Sequence, residues 1–184
     1  MPFDVNKFKG AFGLEGARPT LFEATIFGLP DVPGQSDAIR NIRDFTFHCK
    51  AAQLPGKTLG MIEVPYFGRK IKVHGDLTFA EWTVTVLNEE NFNVRNSFEK
   101  WMSSINEHNA NIKIDKKYKT PLAFVTQFGK GGLPVKEYTF QGMWCSDITA
   151  IEVDWGSNDT IEEFTATLQY DWWESEGTTD SAIF

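Results

Sequence analysis

Residues Thr160–Trp172 read TIEEFTATLQYDW. Phe164, Ala166, Leu168, Tyr170 and Trp172 fall on one side of this stretch, and Glu163, Thr165, Thr167, Gln169 and Asp171 on the other. Strict alternation is the period of a β-strand with one buried and one wet face. Phe79–Leu87 repeats the pattern, with Trp82, Val84 and Val86 opposite Glu81, Thr83 and Thr85. In Arg69–His74, Ile71 and Val73 oppose Lys70, Lys72 and His74. Leu21–Phe27, Asp44–Lys50, Gly60–Tyr66, Lys119–Gln127, Val135–Trp144 and Ile148–Trp155 are further strand candidates, separated by Gly and Pro.

One segment has a different period. Val94, Phe98, Trp101, Met102 and Ile105 lie at offsets 0, 4, 7, 8 and 11, a single helical face. Asn88 is a candidate N-cap, and Glu89 and Glu90 suit the positive end of the helix dipole. The expectation is one amphipathic helix over about residues 89–108, among about nine strands. The fold class that follows is mainly β, an antiparallel sandwich or barrel with one packed α-helix. Trp82, Val84, Val86, Phe98, Trp101, Trp144, Phe164, Leu168 and Tyr170 are the expected core.

The 184 residues, 41% hydrophobic, predict a single domain over 1–184 with a sizeable core. Nothing approaches the roughly 18 unbroken apolar residues of a membrane-spanning helix, so no membrane anchor is expected. The first ten residues mix charges with phenylalanines and show no secretory signal. Cys49 and Cys145 are then expected as free thiols in a reducing compartment, Cys49 sharing an apolar strand face with Phe45 and Phe47. Three segments look unlike core: the N-terminal arm 1–17, the turn-rich insertion Pro30–Asn41, and the acidic tail 174–184. Phe3, Phe8 and Phe12 in the arm suit anchoring to a neighbouring molecule.

The net charge of −7 argues against a free-standing nucleic-acid binder. It is also divided along the chain. All 18 Lys and Arg lie at or before Lys136, beside 14 acidic residues; the last 48 residues hold 11 acidic residues and no basic one. The first part is therefore about +4 and the second −11.

The residues carry no catalytic constellation. His48 and His74 fall on polar sides of strand candidates, and His108 lies at the helix end. The chain has no CxxC, HxH or HxxxH spacing, so no metal site or cofactor is expected. Glu89-Glu90 and Glu162-Glu163 are sequence neighbours and cannot face one another across a substrate as glycosidase carboxylates do. Gly129-Lys130-Gly131-Gly132 lacks the phosphate-loop order and suits a hairpin turn. Lys113, Lys116, Lys117 and Lys119 suit a solvated loop.

Lys70–Asn88 reads KIKVHGDLTFAEWTVTVLN. It resembles the tail tube proteins of contractile-tailed bacteriophages, the T-even-like group related to Hcp-type tube proteins, whose pattern K-I-x-V-x-G-D-x-T-F-x-x-W-T-V-T-V it matches through Val86. Ala17-Arg18-Pro19, Phe47–Gly56 and Trp155–Glu174 resemble other parts of the family in order. The chain departs from it in a longer insertion around Pro30–Arg43 and in the tail beyond Glu174.

The resemblance implies a structural subunit rather than an enzyme. Copies would form hexameric rings stacked head to tail into the inner tube of a contractile tail, in the virion, after assembly in the host cytoplasm. Implied partners are other copies, the tail sheath, baseplate and tail terminator proteins, and genomic DNA in transit without tight binding. A lumen for DNA is expected to be neutral to acidic, because a Lys/Arg-lined wall would hold phosphate. Expected inter-subunit positions are Phe3, Phe8, Phe12 and Lys57, with Asp154, Asp159, Glu162 and Glu163 as acidic counterparts. Alternatives are the tube of a pyocin-like or type VI secretion device, or, outside this class, a small-ligand β-barrel.

Overall fold

The computed structural model describes residues 4–12, 16–29, 38–107, 109, 111–113, 118–119 and 122–176. The chain runs α1 (Val5–Phe12), β1 (Phe22–Ile26), α2 (Ala38–His48), β2 (Cys49–Ala52), β3 (Lys57–Tyr66), β4 (Arg69–Phe79), β5 (Trp82–Leu87), α3 (Asn93–Ile105), β6 (Asn106–Glu107), β7 (Ile112–Lys113), β8 (Ala123–Phe128), β9 (Pro134–Gln141), β10 (Trp144–Ile148), β11 (Glu163–Gln169) and β12 (Trp172–Ser175).

Two four-stranded antiparallel sheets face one another. Sheet A has the order β1-β8-β9-β12, and sheet B the order β10-β11-β5-β2. Alternation turns one row of each strand inward. Sheet A contributes Ala24, Ile26, Ala123, Val125 and Phe140; sheet B contributes Trp82, Val84, Val86, Cys145, Phe164, Ala166 and Leu168. Trp82 meets Phe140 across the interior with ring centroids 4.6 Å apart. The buried indole N–H of Trp82 donates to the carbonyl of Gln53 at 2.7 Å, so the ring is buried without stranding its donor.

Helix α3 places Val94, Phe98 and Trp101 in the core, and Phe98 packs against Phe45 of α2 and Phe164 of β11. It is shorter than the periodicity predicts, because Phe92 takes a left-handed conformation (φ 54) and sets the start one residue later. Asn88 is therefore not the N-cap; its side chain donates to Glu162 instead, at 3.0 Å.

The structure corrects the strand expected over Asp44–Lys50. These residues are mostly the end of α2, and the strand is only Cys49–Ala52. Ile42, Phe45 and Cys49 fit a helical face as well as Phe45, Phe47 and Cys49 fit a strand face, and the helix extends back to Ala38. Residues two apart on a helix diverge, so Phe45 is buried while Phe47 is 76% exposed. His48 ends this helix, its Nδ1 2.6 Å from the Asp44 carbonyl. The described residues thus contain three helices where one was expected, α1 falling within the N-terminal arm. Two further strand candidates are broken: Gly142, at φ 67, separates β9 from β10, and β10 ends at Ile148.

Candidate assembly interface

Strands β3 and β4 form a sheet of their own, 10 and 11 residues long, hydrogen-bonded to neither sandwich sheet. Their turn is Phe67-Gly68, both at positive φ (43 and 79), the geometry of a type I′ hairpin whose twist matches right-twisted strands. Glycine suits this turn; phenylalanine does not, yet Phe67 stands there 91% exposed. Halfway down, the register slips between Leu59 and Met61. Gly60 and Gly75 meet at this slip, where a Cβ on Gly75 would lie 3.1 Å from the Gly60 backbone, so a side chain at either position would push the facing backbone back by a few tenths of an ångström.

Directly paired residues share a face. Beyond the slip, Ile62 pairs with Val73 and Val64 with Ile71 on one face, continuing to Tyr66 and Arg69. The opposite face carries Met61, Glu63 and Pro65 with His74, Lys72 and Lys70, and Lys70 donates to Glu63 at 2.7 Å. The apolar face is uncovered: Ile62, Val64, Ile71 and Val73 are each 45–53% exposed. A two-stranded ribbon with one apolar face and unpaired edges is marginal alone and is a template for a second chain.

The base of the hairpin is held firmly. Phe79 meets Tyr170 and Trp173 at ring distances of 6.1 and 6.3 Å, and the Lys57 ammonium lies 4.9 Å from the Trp173 ring centroid. The Tyr170 hydroxyl is buried without a hydrogen-bond partner among the described residues, and burial pushes its pKa up. A second exposed apolar group lies on the β10–β11 connection, where Val153, Trp155 and Ile161 are 82%, 101% and 70% exposed.

Of the positions expected between subunits, Phe8 is exposed on α1. Phe3 lies outside the described residues, and Phe12 is the last residue of α1. Lys57 already covers Trp173 of its own chain. Glu162 accepts from Asn88, and Glu163 is bound by Lys50. Asp154 and Asp159 remain on the exposed connection, where Asp154 accepts from the Gly156 amide at 3.0 Å. Among the expected core residues, Trp82, Val84, Val86, Phe98, Trp101, Phe164 and Leu168 are buried, while Trp144 and Tyr170 are half-buried at the margin. His108, Lys116, Lys117, residues 30–37 and residues 177–184 lie outside the described residues.

The division of charge along the chain is partly closed within the fold. Lys50 pairs with Glu163, Lys119 with Asp171 at 2.6 Å, and Lys136 donates to the Glu176 carbonyl at 2.7 Å. The first two join a cation of the basic part to a carboxylate of the acidic part, while the third reaches a backbone carbonyl. The uncovered hairpin face was missed because the alternation of Ile71 and Val73 looks the same whether its cover is this chain or another.

Residues 15–176 match the phage tail tube protein family. The tail tube protein gp19 of Enterobacteria phage T4 is 38% identical over 161 residues, covering 86% of this chain and 91% of that protein. The fold is similar to a chain in the baseplate of the anti-feeding prophage, with a TM-score of 0.63 at 11% identity, over 89% of this chain and 97% of that one. It is also similar to a chain in the sheath–tube complex of an extracellular contractile injection system, with a TM-score of 0.59 at 14% identity, over 95% and 98%. The chain belongs to the phage tail tube protein family, structural rather than enzymatic proteins, and is a component of a phage tail.

Proposed function

We propose that this chain is the repeating subunit of the inner tube of a contractile tail. Six copies form a ring, rings stack head to tail, and the stack encloses a channel for DNA ejection. Assembly takes place in the host cytoplasm, and the tube ends at baseplate and terminator proteins inside a sheath. The observation that carries the reading is the projecting β3–β4 hairpin, whose apolar face stays about half exposed among the described residues. A contact between two different surfaces of identical molecules propagates into rings and filaments. Covering each half-exposed Ile or Val would contribute roughly 1 kcal/mol, and the contribution recurs in every subunit.

The relationship in sequence favours a phage tail over a secretion device, since the phage relative is 38% identical and the injection-system chain 14%. A ligand carrier fits less well, because Trp82, Phe98, Phe140 and Phe164 fill the space between the sheets. The reading takes residues 1–184 as a single tail tube domain. Negative-stain microscopy at rising concentration tests the proposal. Tubes of uniform diameter are expected; a monodisperse monomer at every concentration, with or without baseplate extract as initiator, would overturn it.

A further inference from the structure

A groove of about 460 Å³ runs between the outer face of sheet A and α2, and it stays open among the described residues. Glu23, Thr126 and Glu137 share one register row at one end of it. Thr25 and Phe124 form the next row on that face, and Phe27 follows just past β1. Ile42, Arg43, Thr46 and Phe47 of α2 make the opposite wall, with the Thr46 and Thr25 hydroxyls 3.1 Å apart where wall meets floor. Phe27 and Phe124 meet edge to face at 5.6 Å, and Phe47 stands mostly exposed beside them. The groove is therefore acidic at one end and aromatic at the other.

Strand β12 delivers the chain to the acidic end. Ser175 pairs with Tyr138, so Glu176 comes level with Glu137, Thr126 and Glu23, and Lys136 holds its carbonyl at 2.7 Å. The next residues, 177–184, read GTTDSAIF; they lie outside the described residues and beyond the 15–176 match to the tail tube family. Their hydroxyls come first and their apolar side chains last. From Glu176 to Phe27 is three strands across and four residues along, about 20 Å at about 4.8 Å per strand and 3.4 Å per residue. The seven residues from Glu176 to Ile183 span at most about 25 Å. The reach is sufficient, with little slack.

We infer that residues 177–184 dock into the groove of their own chain, with Ala182-Ile183-Phe184 covering Phe124, Phe27 and Phe47. The order of the two surfaces matches along the path. Thr178 and Thr179 pass the acidic row, where hydroxyls donate to the Glu23 and Glu137 carboxylates. Asp180 has a counter-ion in Arg43, whose mostly exposed guanidinium lies 3.7 Å from Asp44 and keeps donors for a second carboxylate. A second copy could offer the same segment, but the short tether makes docking within one chain intramolecular, at an effective concentration in the millimolar range. The cover shields three clustered rings from non-specific association. The inference is independent of the tube reading above.

The test uses the full chain, dilute and unassembled, carrying Thr126→Cys and Ser181→Cys and oxidised mildly with copper phenanthroline. Native background is small, because burial pushes the Cys49 and Cys145 thiols up to about 12. An internal disulfide is expected, read by mass and by mobility on a non-reducing gel. Adding Ile183→Asp and Phe184→Asp should slow its formation roughly tenfold, because the apolar anchor is lost. Disulfide-linked dimers in its place would seat the segment on a second copy. A rate unchanged by the two Asp substitutions would mean that the segment is near the groove without docking, and no bond at all would leave the groove to another occupant such as residues 30–37. Each of these outcomes overturns the inference. If the Cys variants do not fold, amide exchange of the unsubstituted chain against Ile183→Asp with Phe184→Asp decides. Exchange in α2 and β1 should rise roughly threefold while β5 stays unchanged, and equal exchange throughout would overturn the inference.

Discussion

The indole N–H of Trp173 on β12 donates to the backbone carbonyl of Gly56, 3.3 Å away and 117 residues earlier in the chain. The bond lies at the root of the hairpin, where the same ring also meets Phe79 and lies beneath Lys57. A projecting arm can present a face to a neighbour only if its root has a fixed direction, and three contacts on one side chain fix it.

Replacing Trp173 by Ala removes all three contacts. The ring is half-buried, so a loss of about 2–3 kcal/mol is expected, below the range for a fully buried tryptophan. Trp173→Phe should recover most of the stability and lose only the hydrogen bond. Urea unfolding reads the stability, and amide exchange should show faster opening across β3 and β4 in the Ala variant than in the Phe variant.

Ile71→Asp or Val64→Asp changes the uncovered face of the hairpin without touching the core. Because these positions are about half exposed in the single chain, thermal unfolding of the unassembled chain should change by no more than about 0.5 kcal/mol. Tube formation should be lost, as read by sedimentation and negative-stain microscopy. A variant that assembles normally would remove the hairpin from the interface.

Phe67→Asn converts the hairpin tip to Asn-Gly, the favoured type I′ pair. The unassembled chain should be as stable or gain a few tenths of a kcal/mol, since asparagine tolerates the left-handed region better than phenylalanine. Weaker assembly from a stabilised chain would show that the exposed ring at the tip is kept for contact with a neighbour.

Burial raises the Cys49 and Cys145 thiols to about 12, from an ordinary value of 9.0. The folded state therefore holds these protons at a pH where the unfolded chain releases them. Stability from this source is fully present below about pH 9 and is lost as the pH rises from 9 toward 12. Melting temperature should accordingly decline through that window. Iodoacetamide at pH 8 should leave both thiols unmodified in the native protein and alkylate both in denaturant.

Much of the fold was legible because alternation is a local property. Trp82-Val84-Val86 and Phe164-Ala166-Leu168 could satisfy only a strand period over their length, and both are buried rows of sheet B. Phe45-Phe47-Cys49 was not decidable in the same way. Over so few residues two periods fit, and the neighbouring turn back to Ala38 decided for helix. The lone α3 face was plain from Val94 to Trp101, but its start was not, since a left-handed Phe92 leaves no mark in composition.

The sequence by itself determined the β class, the inward rows, the α3 stripe and, through Lys70–Val86, the resemblance to tail tube proteins. These follow from side-chain order along one strand or helix. Only the tertiary structure decided that Lys70–Phe79 belongs to a detached hairpin, while Trp82–Val86 belongs to the sandwich. The two halves of one motif alternate alike, and what separates them is whether the apolar row finds a partner within the chain. Likewise, the pairing of Thr83 with Thr167 joins residues distant in sequence, so the threonine patch on the outer face of sheet B came into view only with the register of β5 against β11.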